Sequence, residues 1–147
     1  MKLLRSLRAW LFIIIGTGGC RDATTGDPPP NQFEAPLRGE NVVPPVSTAA
    51  TGAAHFFLEG DRLYFAISVS GLNAADSARL YAASAGQNGS AQRTFCGPCA
   101  SNGGMLAAGA MYAPDSLVTK IRSFGTYVEI RSGGAAMLRG QLRVADF

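Results

Sequence analysis

The sequence predicts an all-β fold, an antiparallel β-sandwich with at most one short helix. Three observations carry that prediction. From Phe33 onward apolar side chains recur at every second position, the period of a half-buried strand. The runs are short and are punctuated by Gly, Asn and Pro. Two of them are joined by Glu59-Gly60-Asp61, a link that suits an antiparallel hairpin.

The strongest strand is "DRLYFAISVSGL", in which Leu63, Phe65, Ile67 and Val69 fall on one face and Tyr64, Ala66, Ser68 and Ser70 on the other. Its hairpin partner is "AAHFFL". "TYVEIR" sets Val128 and Ile130 against Tyr127, Glu129 and Arg131. "LRGQLRV" sets Leu138, Leu142 and Val144 against Arg139, Gln141 and Arg143. Both read as strands with one face in water. "EAPLRG", "ARLYAAS", "AQRTF" and "GMLAAGAMY" are further strand candidates. The helix is "PDSLVTKIRSFG", where Asp115 or Ser116 is placed to cap a short turn that ends at Gly125. Many short strands between turn signals point to a Greek-key sandwich of the immunoglobulin-like or Cu/Zn-superoxide-dismutase-like kind.

The first residues do not belong to that domain. "MKLLRSLRAWLFIIIGTGGC" places Lys2, Arg5 and Arg8 before an apolar run from Ala9 to Ile15, followed by small residues up to Cys20. This is the order of a secretory signal peptide, and the run falls short of the roughly 20 residues that span a bilayer. Small residues directly before a cysteine resemble the bacterial lipobox, in which the thiol is acylated and becomes the new N-terminus, although Thr17 stands where that motif usually has Leu. The segment "RDATTGDPPPNQ" is rich in Pro, Asp and Thr and reads as a solvated tether. The expected organisation is a lipoprotein-type signal over 1–19, a flexible tether over 20–32 and a β-sandwich domain over 33–147. At 147 residues the chain is long enough for one such domain.

Charge excludes one class of partner. The chain has 13 Lys and Arg against 10 Asp and Glu, but Lys2, Arg5 and Arg8 leave with the signal, so 10 minus 10 gives zero net charge. No basic footprint for nucleic acid is expected.

"TFCGPCASNGG" contains Cys96-Gly97-Pro98-Cys99, the arrangement with which thioredoxin-like enzymes exchange disulfides. That chemistry needs the first cysteine at a helix N-terminus, where its pKa is lowered, and here two glycines follow where the helix should run. A loop disulfide, a metal pair and two free thiols are the other readings. Oxidation to a Cys96–Cys99 disulfide is expected in an exported protein, whereas a metal would need partners the chain lacks once Cys20 is acylated. No metal, cofactor or catalytic residue is assigned. His55, the one histidine, reads as a strand residue, and the acids are scattered.

Residues Phe33 to Leu72 resemble the opening of the CHRD domain, a module first described in chordin and found in exported bacterial proteins. The resemblance rests on a Leu-x-Gly-x-x-x-Val-Pro-Pro-Val run at Leu37 to Val46, on Thr48, Ala50 and Gly52, and on the aromatic and aliphatic hairpin. "AGQNGS" (Ala85 to Ser90) is similar to the family's Gly-x-Asn-Gly turn, and "YVEIRSGGAAMLRGQLR" to its closing Tyr-Val … Arg-Gly-Gln-Leu strands. The resemblance implies a compact all-β domain and no particular activity. The chain departs from it at Ala78-Arg79-Leu80-Tyr81, where the family commonly has Ala-His-Ile-His, and at Ile130-Arg131-Ser132, where it has Val-His-Thr. Arginine has no lone pair for a metal, so any metal site built on those histidines should be lost. Arg79, Tyr81 and Arg131 are instead expected to share a face, where two guanidiniums and a phenol could hold a carboxylate or phosphate unless both arginines pair with acids such as Glu129.

The function these features favour is a non-catalytic binding or structural module of the cell envelope. It would be held to membrane lipid through acylated Cys20 and present the domain to an envelope protein or polysaccharide. The alternative is an exported thiol-disulfide protein working through Cys96 and Cys99.

Overall fold

In the structure, a computed structural model that describes residues 30–100 and 104–146, nine strands join in one antiparallel sheet and one helix packs against it. The strands are β1 (Gln32–Arg38), β2 (Thr51–Glu59), β3 (Arg62–Ser70), β4 (Ser77–Ala82), β5 (Ser90–Cys96), β6 (Gly104–Tyr112), β7 (Thr126–Ser132), β8 (Ala135–Gln141) and β9 (Arg143–Val144). The order across the sheet is β5-β4-β7-β8-β1-β2-β3-β6, with β9 also on β1. The expectations lying on residues 1–29, among them the signal and Cys20, fall outside the described residues.

The period-two pattern places the core. Phe33, Ala35 and Leu37 of β1, Leu63, Ile67 and Val69 of β3, and Val128 and Ile130 of β7 all turn inward and are buried. Gly60 turns the β2–β3 hairpin with a positive φ of 58°, a conformation that glycine adopts without steric cost.

The two-layer sandwich is a single sheet curled until its edge strands stand side by side. Register shifts lie in the β4–β5, β3–β6 and β7–β8 pairs, and such bulges bend a sheet strongly. At the seam Arg93 Nε donates to Tyr112 O at 3.3 Å. Beneath it the Phe95 ring from β5 lies 4.8 Å from Phe65 and 5.7 Å from Phe56, so an aromatic trio fills the gap where the ladder is missing.

The helix α1 (Asp115–Arg122) contributes Leu117 and Ile121 to the core. Neither Asp115 nor Ser116 caps it. Pro114 occupies that position, with its carbonyl accepting from the amides of Leu117 and Val118 at 2.8 and 3.0 Å. A proline there sacrifices no bond, and Asp115 keeps its favourable place in the first turn. The C-terminus closes with Gly125 N donating to Lys120 O and Phe124 N to Ile121 O, which puts Phe124 rather than Gly125 in the left-handed conformation at φ 57°. The Phe124 ring meets Phe33 edge-on at 6.5 Å, a contact that offsets the steric cost of that φ for a bulky residue. Residues 138–144, read as one strand, form β8 and β9 with a break at Leu142, whose amide turns to Thr126 O.

Because Phe95 substitutes for missing strand pairing, Phe95→Ala should cost about 3 kcal/mol in urea unfolding. Phe57→Ala, on the exposed side of β2, should cost no more than about 1 kcal/mol.

A candidate site at the Tyr127 and Arg139 junction

The outer face of β4, β7 and β8 carries two rows of side chains running across the strands. Register pairs Arg79 with Glu129 and Glu129 with Arg139 in one row, and Tyr81 with Tyr127 and Tyr127 with Gln141 in the next. Alternation marks these positions as the solvent side. The middle of the rows is nevertheless dry, with Tyr127 1% exposed, Glu129 6% and Arg139 2%, while Arg79, Tyr81 and Gln141 are half-buried. This corrects the reading of "TYVEIR" and "LRGQLRV" as strands with a wet face at Tyr127, Glu129 and Arg139, whereas Arg143 is exposed as that reading expects.

Two loops cover the rows. The β4–β5 loop over residues 83–89 folds back across β7 and β8, and the segment over 39–46 that follows β1 comes to meet it. Their contact is Asn88 Nδ2 donating to Val43 O at 3.1 Å. Beneath that contact the Arg139 guanidinium donates through Nη2 to Gln87 O at 2.6 Å and through Nη1 to Asn88 Oδ1 at 3.1 Å. It also lies over the Tyr127 ring, 3.5 Å from the centroid, while Tyr81 stacks on Tyr127 at 5.2 Å and 8°. The Tyr127 hydroxyl accepts from Gly89 N at 3.1 Å, and Asn41 Nδ2 donates to Arg139 O at 3.2 Å. Taking a guanidinium out of water is costly unless its donors are satisfied and its charge is solvated. Here two oxygens and a π face do that, a cation–π contact being worth about 2 kcal/mol once desolvated.

Each loop is folded so tightly on itself that one of its glycines has no room for a side chain. A Cβ on Gly89 would run into Ala82 O, and one on Gly39 into Val46 O, and both obstacles are backbone. Val46 N donates to Gly39 O at 3.0 Å, which folds the 39–46 segment on itself.

The comparisons with known proteins fit this geometry. The CHRD domain family matches residues 33–142. The chain belongs to the CHRD family. No curated protein and no solved structure matches it. Three of the stretches on which the CHRD resemblance rests, Leu37 to Val46, Ala85 to Ser90 and Arg139 to Leu142, meet at the Tyr127–Arg139 stack. In this chain those stretches close two loops over a buried cation.

The structure brings Arg79 and Tyr81 of β4 and Arg131 of β7 to the same outer face of the CHRD domain. Arg131 is engaged there, with Nη1 on Glu129 Oε1 at 3.1 Å and Nη2 on Gly134 O at 2.7 Å. Tyr81 is held in the stack. Arg79 makes no ion pair within 4.0 Å among the described residues, and its Nε is buried without a partner. His55 is exposed on β2, opposite Ala66.

Cys96 and Cys99 stand at disulfide distance, with their Cα atoms 5.2 Å apart. One end of the motif is tied to β4 and the other to the residues that lead into it. Cys96 pairs with Ala78, and Cys99 N donates to Ala75 O at 3.1 Å. The chain re-enters a strand, β6, at Gly104. No group of three or more His, Cys, Asp or Glu that could hold a metal occurs among the described residues.

Sequence reasoning missed Arg139. The signal available was Arg139-Gly140-Gln141-Leu142 itself, but an arginine alternating with leucines on a strand has the same pattern whether it is exposed or covered. Tyr127→Phe should lose the bond from Gly89 and cost about 1 kcal/mol. Arg139→Met should leave Gln87 O and Asn88 Oδ1 unpaired and cost about 3 kcal/mol, both measured by urea unfolding.

Proposed function

We propose that this CHRD-domain chain is an exported, non-catalytic binding or structural module. It is held to a bacterial membrane by lipid on Cys20 and presented to an envelope protein or polysaccharide through the segment over 20–32. The observation that carries the reading is how the family pattern is used: its glycines, asparagine and arginine build a loop junction, and none of them is set out beside a nucleophile or base in the way that catalysis needs. The signal-like N-terminus, the Pro- and Asp-rich segment after it and the neutral charge from Cys20 onward agree with export and tethering.

The same reading makes Cys96 and Cys99 a structural cross-link. The motif runs from β5 through a tight turn towards β6, whereas thiol exchange relies on a helix N-terminus to stabilise the thiolate. Hydrogen bonding of Cys99 to Ala75 and pairing of Cys96 with Ala78 tie the turn to its neighbour. A ring this small restricts the unfolded chain little, so Cys96→Ser with Cys99→Ser should cost about 2 kcal/mol and keep the fold.

Mass spectrometry of the chain isolated from membranes, alkylated with and without reductant, tests the proposal. The expected spectrum has an acyl mass on Cys20 and alkylation of Cys96 and Cys99 only after strong reduction. An unacylated N-terminus would remove the anchor, and two thiols that alkylate under mild reductant would favour the redox protein.

A further inference from the structure

Beside the Tyr127–Arg139 stack lies a groove of about 600 Å³, between the 39–46 segment and the Ala85–Gly86 tip of the neighbouring loop. We propose that this groove binds a compact oxyanion, a carboxylate or a phosphate group, with the Arg38 guanidinium as its main contact and Arg143 as the second.

The argument begins with charge. From Cys20 onward the chain is neutral, yet this groove is lined by three guanidiniums, Arg38, Arg139 and Arg143, against Glu40 in the lining and Glu34 bonded to Arg143, so 3 minus 2 leaves one positive charge, that of Arg139. Arg139 has no carboxylate within 4.0 Å among the described residues, since its partners are a backbone carbonyl, an amide oxygen and a ring. Such dipoles solvate a cation without cancelling its charge. Glu129, which faces it across β7 and β8, is already bonded to Arg131. The groove therefore keeps a positive potential, which the aliphatic walls of Val42 and Val43 strengthen by keeping the local dielectric low.

Availability of donors is the second step. Arg38 lies 4.0 Å from Glu40, and their side chains are 58% and 76% exposed, so the pair is weak and the guanidinium is free to turn into the groove. Arg143 uses Nε and Nη2 on Glu34 Oε1, at 2.9 and 2.6 Å, and directs no bond of Nη1 to that acid. A guanidinium fork suits the two oxygens of a carboxylate or phosphate. The residues that pattern alone singled out for this role, Arg79, Tyr81 and Arg131, lie on the other side of the Tyr127 stack. Two of them are occupied by Glu129, Gly134 O and Tyr127. The proposed oxyanion contact Arg38, on β1, thus lies two strands from Arg131 and three from Arg79 and Tyr81.

The inference rests on reading the chain as a binding module. Its test is separate from the test of anchoring, because the mass spectrum of Cys20 does not depend on it. Inorganic phosphate and citrate are each titrated calorimetrically into the full chain in a neutral detergent at low ionic strength. At least one should bind, and Arg38→Gln with Arg143→Gln should weaken that binding about tenfold or more without changing the melting temperature. Arg62→Gln, on β3, should change it less than about twofold. Should the double variant melt early, Arg38→Gln alone serves, because that side chain is largely exposed. No heat from either anion up to roughly 10 mM, or equal affinity of the wild type and the arginine variants, would overturn the proposal.

Discussion

A cation taken out of water has to be solvated by the protein, and in this chain that requirement organises the two loops that cover β7 and β8. Arg139 is 2% exposed and meets no carboxylate within 4.0 Å among the described residues. Its charge is carried by Gln87 O, Asn88 Oδ1 and the Tyr127 ring. The ring belongs to β7, but the two oxygens sit where they do because the β4–β5 loop has folded back over the sheet, and that loop reaches the 39–46 segment through Asn88 and Val43. The apolar core would form from alternation alone. What the junction adds is a fixed outer surface, with a groove at its edge.

Legibility in the sequence followed the range of the interactions. The β2–β3 hairpin, the inward faces of β1, β3 and β7 and helix α1 depend on neighbours a few residues apart, and alternation and turn chemistry reveal them. The helix cap was misplaced because Pro114 competes with Asp115 and Ser116 for the same role, and a proline at a helix start loses nothing. Alternation reveals the antiparallel sandwich-like fold, but not that its strands join in one curled sheet, because the pattern is identical in both cases. The register shifts in β4–β5, β3–β6 and β7–β8 and the Phe95 plug distinguish them. Arg139 and Arg143 illustrate the limit most clearly. They stand four residues apart on the same side of one apparent strand, yet one is covered and the other exposed, because 98 residues of chain separate Arg139 from Asn41 and 51 separate it from Asn88.

The arginines also change the chemistry of the face they occupy. Resemblance to the CHRD family implies histidines at Arg79, Tyr81 and Arg131, groups that titrate near neutrality and have a lone pair. Guanidiniums have neither property. The face that results is permanently cationic, with Glu129 enclosed between Arg79, Arg131 and Arg139 by register. A surface of this kind selects partners by charge and by the geometry of oxygen pairs, whatever the partner's size.

The most direct test of the Arg139 junction is hydrogen exchange of Arg139→Lys, which keeps the charge and the aliphatic stem but removes the planar fork. The account predicts that the amides of Gly89 and Val46, one in each covering loop, lose protection together while the β2–β3 hairpin keeps its own. Wild-type protection in both loops, or loss in one with the other unchanged, would contradict it.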